Sequence, residues 1–289
     1  MDQAANLRSI VSKKQTTGLP KINARVIAVT SGKGGVGKTN FTVNLALWLA
    51  RQQQRVVIID ADFGLANIEV LLNIWPKFSF ADVITGKKTI PDVLTEAPYG
   101  IKLLSGGTGF RDLANVTDRQ MASVLNSFGY LDEISDIILI DTGAGISKSV
   151  TNFVKAAGEA VIITTPEPTS ISDSYTLIKT IYEPGSYYPE MKIVLNKVDN
   201  EKEGVAVYER LRSVTEKFLS LTPKYLGSIV FDNDLVKDVK SQKPVLLNHP
   251  NSHYSKSIDS MGRKILDPDA AYLPERTGIL AFMRRILRS

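Results

Sequence analysis

The chain has 289 residues, enough for one large domain or two small ones with a substantial core. A hydrophobic share of 43% and a charged share of 22% fit an ordinary soluble globular protein, and the absence of cysteine excludes disulfides, thiol catalysis and cysteine-ligated metal sites. The formal net charge of +5, with an isoelectric point near 9.2, permits acidic partners without requiring them.

Residues 1–20 are polar, with Lys13-Lys14, Thr16-Thr17-Gly18 and Pro20, and read as a flexible arm before the first strand. No apolar stretch of signal-peptide type opens the sequence, and no segment reaches the roughly 18 apolar residues of a membrane span. The cytoplasm is therefore the expected location. Val26-Ile27-Ala28-Val29 reads as a buried strand, and Phe41 to Arg51 as the helix after the next loop. Val56-Val57-Ile58-Ile59 ends at Asp60, and Ile137-Ile138-Leu139-Ile140 ends at Asp141. Ala160-Val161-Ile162-Ile163 ends at Thr164-Thr165-Pro166, and Lys192-Ile193-Val194-Leu195 ends at Asn196. Each run is followed by a polar or glycine-containing turn. That pattern predicts an α/β fold with a doubly wound, mostly parallel sheet and helices on both faces. Residues 244–274 are less regular, and a distinct helix closes the chain. The expected division is an arm over 1–20, a nucleotide-binding domain over 21–274 and a terminal helix over 275–289.

Between the first strand and its helix lies Ser31-Gly32-Lys33-Gly34-Gly35-Val36-Gly37-Lys38-Thr39. It fits the phosphate-binding pattern G-x-x-x-x-G-K-[ST] in its expected strand–loop–helix setting. Glycines let successive backbone N–H groups point at phosphate oxygens, and the helix N-terminus adds its own donors. Gly32, Lys33, Gly34, Gly35, Val36, Gly37, Lys38, Thr39 and Asn40 are the predicted nucleotide-binding set. Lys38 is expected to reach the β- and γ-phosphates, and the Thr39 hydroxyl to bind Mg²⁺. Ligands of such sheets sit beyond the carboxyl ends of the strands, where the acidic residues fall. Asp141 is the candidate for the Mg²⁺ shell, and Asp60 and Asp62 for orienting the attacking water or the metal's water ligands. Helix capping or a turn is the alternative role for each. Lys33 either faces solvent or crosses to a partner's nucleotide in a face-to-face dimer, acting like an arginine finger.

Lys33-Gly34-Gly35-Val36-Gly37-Lys38-Thr39 resembles the deviant Walker A loop of the MinD/ParA family of ATPases. The resemblance covers residues 25 to about 260. It implies Mg²⁺-dependent ATP hydrolysis by an ATP-bridged homodimer, with Lys33 acting across the interface. It also implies that Asp62 positions water and that Asp141 holds the magnesium shell. Thr164-Thr165-Pro166-Glu167-Pro168 and Ser172-Asp173-Ser174 resemble the segment after the family's next strand, and Ser241 to Val245 its late segment. Leu195-Asn196-Lys197 resembles the adenine-side turn, which makes Asn196 the base-contact candidate. Asn196-Lys197-Val198-Asp199 also fits the guanine-reading N-K-x-D pattern, but the deviant loop favours ATP and leaves Asp199 a cap or a surface charge.

Stepping by about 100° per residue, the last helix puts Ile279, Leu280, Phe282, Met283, Ile286 and Leu287 on one face. Ala281, Arg284, Arg285 and Arg288 fall on the other, and no acidic residue lies in the segment. Such a helix suits an anionic membrane surface, with packing on the core as the alternative. The resemblance implies a reversible membrane anchor on the inner face of the cell membrane. At the other end, Asp2-Gln3-Ala4-Ala5-Asn6-Leu7-Arg8 resembles the N-terminal motif of the FlhG (YlxH) family of MinD-like regulators of flagellar number. That family implies stimulation of the signal-recognition-type GTPase FlhF, with Gln3 as the candidate side chain, and contact with flagellar basal-body switch proteins. A DNA-binding partitioning ATPase and a division-site regulator are the alternatives, and the segregated terminal helix argues against nucleic acid. A cluster carrier of similar fold lacks its cysteine ligands here, and a tyrosine kinase lacks its C-terminal tyrosine cluster. His249 and His253 read as surface or loop residues, Trp48 and Trp75 as packing residues, and Phe231-Asp232-Asn233 as a candidate lining of the adenine pocket.

Overall fold

The computed structural model describes residues 23–62, 67–107, 109, 118–267 and 278–288; Gln3 and the rest of the predicted arm lie outside them. Eight strands form one sheet: β1 (Arg25–Ser31), β2 (Val56–Ala61), β3 (Leu94–Glu96), β4 (Lys102–Ser105), β5 (Ile137–Ala144), β6 (Glu159–Thr164), β7 (Glu190–Val198) and β8 (Lys224–Val230). Their order is β3-β4-β2-β5-β1-β6-β7-β8. β3 runs antiparallel to β4, and the other pairings are parallel. The phosphate loop leaves β1 near the middle of the sheet, with β5 on one side and β6 on the other.

The uninterrupted apolar runs are explained by burial on both faces. Val26, Ala28, Val57, Ile59, Ile138 and Ile140 point into one core, and Ile27, Val29, Ile58, Leu139, Val161 and Ile163 into the other. The sheet is covered by helices α1 (Lys38–Arg51), α2 (Asn67–Leu72), α3 (Phe80–Ile84), α4 (Asp118–Ile134), α5 (Lys148–Ala156), α6 (Pro168–Ile181), α7 (Glu201–Leu219), α8 (His253–Leu266) and α9 (Gly278–Arg288). Phe41 and Leu45 of α1, Ile68 of α2 and Ile258 of α8 fill the second core; Phe80, Phe128, Val154, Leu177, Val207 and Phe282 fill the first. The doubly wound expectation therefore holds. Two boundaries differ. α1 starts at Lys38 rather than Phe41, because Gly37 at φ 96° is its N-cap. β2 and β5 run past their aspartates, since Asp60 pairs with Asp141 and Ala61 with Thr142 in register. Trp48 packs as expected and donates its indole N–H to Asp259 Oδ1 at 2.9 Å. Trp75 does not: it is 74% exposed.

The terminal helix α9 is docked. Ile279, Phe282 and Met283, half of the predicted lipid-facing stripe, are buried in the first core against α4, α5 and β1. Leu280 and Ile286 are half-buried there, and Leu287 has no described side chain. The Phe282 and Phe153 rings lie 5.9 Å apart. The Ile279 N–H donates to Asp132 Oδ1 at 3.0 Å, and Arg285 donates to the Ala156 carbonyl at 3.1 Å while stacking 3.7 Å over Tyr187. Arg284 faces solvent. Each buried apolar side chain contributes about 1.5–3 kcal/mol to keeping the helix down.

Below the sheet, at the amino ends of its strands, a chain of charges is buried. The Arg25 guanidinium holds both Glu159 oxygens at 3.0 Å, and Lys192 bridges Glu159 to Glu190. Removing one member of a buried ion pair leaves its partner's charge uncompensated. Glu159→Ala should destabilise the protein by about 3–5 kcal/mol. A urea unfolding midpoint unchanged from wild type would contradict this.

Candidate functional site

The carboxyl ends of β1, β2 and β5 bring the predicted chemistry together. Asp141 on β5 is fully buried beneath the phosphate loop. It accepts Lys38 Nζ at 3.1 Å, Thr39 Oγ1 at 2.8 Å and Thr42 Oγ1 at 2.9 Å. Burial pushes its carboxyl above the usual range, while the Lys38 charge and these hydroxyls pull the other way. Thr42 was not singled out in the sequence. Its position four residues after Lys38 puts both on one helix face, and that spacing was the available signal.

Two glycines of the loop leave no room for a side chain. A side chain at Gly32 would collide with the α6 backbone at Asp173 and Ser174, so the loop packs directly on that helix. Gly37 has a positive φ and meets the Asn196 amide where a Cβ would stand. Asn196 is buried at the end of β7, donates Nδ2 to the Val36 carbonyl at 2.7 Å and accepts the Lys197 N–H at 2.9 Å. Lys197 Nζ donates to the Gly35 carbonyl at 2.8 Å. Asn196 and Lys197 thus strap the loop from the end of β7. The strap was not read from the sequence, because its partners lie about 160 residues apart. Asn200, not Asp199, caps α7, which leaves Asp199 a surface charge. Phe231 follows β8, is exposed, and donates its N–H to the Val198 carbonyl at 2.9 Å, so it lies beside that same end of β7. His249 pairs with the buried Asp238 at 2.7 Å, and this carboxylate raises its pKa above the usual histidine value.

Lys33 has different partners from Lys38. Its ammonium donates to Glu167 Oε2 at 2.7 Å and Thr169 Oγ1 at 2.9 Å, at the start of α6. This pair is largely exposed, and Lys33 holds the Glu167 carboxyl below its usual range. Neither acceptor was identified as a Lys33 partner from the sequence.

Asp60 is buried at the end of β2 and accepts the Asp62 N–H at 3.0 Å. Burial pushes its carboxyl up to about 8; the Asp141 and Glu69 charges add to this, and the Asp62 N–H and Lys38 oppose it. Asp62 is half-buried, with Oδ2 3.5 Å from Asn67 Nδ2. A carboxyl whose pKa rises from 3.8 to about 8 binds a proton in the fold that the unfolded chain has already lost. Across that window, stability falls as pH rises. Asp60→Asn keeps the acceptor for Asp62 and removes the titration. The nucleotide-free variant should lose less thermal stability than wild type between about pH 5 and about pH 8. Parallel melting curves across that range would contradict the burial argument.

Beyond this cradle the loop is open: positions where side chains would start at Gly34 and Gly35 have nothing within 4 Å. The Thr39 hydroxyl and Asp141 carboxylate are hard oxygen donors of the kind Mg²⁺ takes. The residues present therefore fit a Mg²⁺-nucleotide.

The family model named ParA, described as NUBPL iron-transfer P-loop NTPase, matches residues 23–266. The chain belongs to the ParA family of P-loop NTPases. It is similar to the antiactivator FleN of Pseudomonas aeruginosa, 38% identical over 83% of this chain and 86% of that protein. It is also similar to the flagellum site-determining protein YlxH of Helicobacter pylori, 32% identical over 99% of this chain and 98% of that one. Among solved structures it resembles the MinC:MinD cell division complex of Aquifex aeolicus, with a TM-score of 0.66, 25% identity, and coverage of 87% of this chain and 98% of the other. As a ParA-family P-loop ATPase, the chain is an ATP-hydrolysing enzyme, as its loop implied. Iron-cluster transfer does not carry over through cysteine, since the chain has none.

Proposed function

We propose that the chain is a Mg²⁺-dependent ATPase switch that sets flagellar number or placement, dimerising with ATP and binding membrane through α9. The observation that carries the switch is Lys33. Of the loop's two lysines, Lys38 pairs with Asp141, whereas the Lys33 ammonium is held by Glu167 and Thr169 at the start of α6. Thr39 and Asp141 would hold Mg²⁺, which when bound neutralises charge on the phosphates. Lys38 would exchange Asp141 for the β- and γ-phosphates. Asp62 would orient the attacking water, with Asp60 fixing the Asp62 backbone. Lys33 would leave Glu167 and stabilise developing charge on the partner's nucleotide. The flagellar task rests on the relatives named for it. Gln3 is assigned to stimulating the FlhF GTPase, and contact with basal-body switch proteins belongs to the same reading.

Among the described residues no helix is long and apolar enough to cross a membrane. Membrane contact would therefore be peripheral, on the cytoplasmic face, and α9 must undock to make it. Deleting α9 would expose the first core, so a surface variant is the cleaner probe. Co-sedimentation with anionic vesicles should require ATP rather than ADP. Arg284→Glu reverses a solvent-facing charge and should weaken binding roughly ten-fold or more. Binding indifferent to both nucleotide and Arg284 would contradict the membrane role.

A further inference from the structure

At the end of β7, four consecutive residues meet the phosphate loop or follow directly on it. Asn196 is 2% exposed. Its Nδ2 donates to the Val36 carbonyl and its Oδ1 accepts the Lys197 N–H, so both ends of the amide are bonded inside the protein. Lys197 lies in the left-handed region at φ 59°, where the register of β7 on β8 shifts between Asn196 and Val198. That conformation is strained for a lysine, and the bond from its ammonium to the Gly35 carbonyl accompanies it. Val198 is buried and Asp199 is exposed. The Asp199 N–H donates to Glu203 Oε2 at 2.7 Å, while its carboxylate has no hydrogen-bond or ion-pair partner among the described residues. Phe231, bonded through its N–H to the Val198 carbonyl, leaves its ring exposed beside the same strand end.

Thr39 and Asp141, the magnesium end of the proposed site, lie on the β5 side of β1, and β7 lies on the other side, beyond β6. A nucleotide laid along the loop from that end carries its base toward β7. Chemistry then decides which base this turn can read. The Asn196 amide is committed to the strap, and Lys197 offers the apolar stem of its side chain. Of the four residues, Asp199 alone has an uncommitted polar side chain. An ionised carboxylate only accepts hydrogen bonds. Guanine presents N1–H and a 2-amino group side by side, two donors that match the two carboxylate oxygens. Adenine presents one donor, its 6-amino group, beside an N1 lone pair that a carboxylate repels. The Phe231 ring adds a stacking face that serves either base. We infer that the base site admits guanine as well as adenine, with Asp199 pairing the guanine N1–H and 2-amino group, so that GTP is a second ligand of the ATP site. The inference rests on the phosphate loop being the nucleotide site.

Diphosphates test this without hydrolysis or ATP-driven dimerisation. The nucleotide-free full chain, in Mg²⁺, is titrated by calorimetry with ADP, GDP, IDP and XDP. GDP should bind within about ten-fold of ADP. IDP lacks the 2-amino group and should bind about ten-fold more weakly than GDP. Asp199→Ala, at an exposed position, should weaken GDP relative to ADP by about ten-fold or more. Asp199→Asn puts a donor where an acceptor stood. It should lose GDP and gain XDP, whose 2-oxo group accepts where the 2-amino group of guanine donates. Phe231→Ala should weaken ADP and GDP alike, since stacking does not distinguish them. GDP bound more than about a hundred-fold more weakly than ADP would overturn the inference and leave the ATPase reading standing. So would Asp199→Ala and Asp199→Asn proteins that keep the wild-type order of diphosphates. Failure of ADP and GDP alike to bind would overturn both.

Discussion

Lys33→Ala should lower ATP turnover by about 10³- to 10⁵-fold while leaving nucleotide affinity nearly unchanged. The size follows from what a charge delivered to a phosphoryl transition state contributes, and the selectivity follows from geometry. In the proposed site, binding would rest on Lys38, Thr39 and the loop's backbone N–H groups, all of which survive the substitution. Lys33 itself contacts Glu167 and Thr169, 2.7 and 2.9 Å away on α6, and not the carboxylate that anchors Lys38. Its ion pair with Glu167 lies at the surface, where solvent screens such pairs, so releasing it is a small obstacle to crossing. Steady-state hydrolysis together with titration of a fluorescent ATP analogue checks both halves. Lost affinity with unchanged turnover would contradict this role.

Lys38→Ala should act the other way, weakening nucleotide binding by about a hundred-fold, as expected for a charge-assisted contact to phosphate. A second effect accompanies it. Asp141 is fully buried, and Lys38 is the cation it contacts at 3.1 Å. Without Lys38, the Thr39 and Thr42 hydroxyls remain, but the charge is uncompensated, so the nucleotide-free variant should also melt earlier. Analogue binding at wild-type affinity would show that Lys38 is not the phosphate contact.

The parts of the fold legible in the sequence were those with a one-dimensional signature. β1, β2, β5, β6 and β7 show as apolar runs because each is buried on both faces. The phosphate loop shows because its glycines and lysine are contiguous. β3 and β4 were not anticipated: they are short, and all of their residues except Leu103 and Leu104 are partly exposed or polar. The strap from Asn196 and Lys197, and the seat of Lys33 on Glu167, join residues more than 130 positions apart and have no local pattern. The raised Asp60 pKa depends on burial beside Asp141 and Glu69, which only the assembled sheet creates. Trp75 shows the converse. A tryptophan beside Pro76 suggests packing, yet its neighbours leave it in solvent. The terminal helix is the most instructive case. An apolar stripe opposite arginines reads the same whether it faces lipid or a core, and here Ile279, Phe282 and Met283 face the core.

Complementation between two inactive variants is the most direct test of catalysis in trans. Lys33→Ala subunits keep Asp62, and Asp62→Ala subunits keep Lys33. In a mixed dimer, the nucleotide held by the Lys33→Ala subunit would have its own Asp62 and, on this account, would receive Lys33 from its partner. ATP hydrolysis should therefore reappear on mixing, in proportion to mixed dimers formed. If Lys33 serves only its own nucleotide, no mixed dimer contains a complete site. A mixture that stays as inactive as either variant alone, although mixed dimers form, would contradict the crossing lysine.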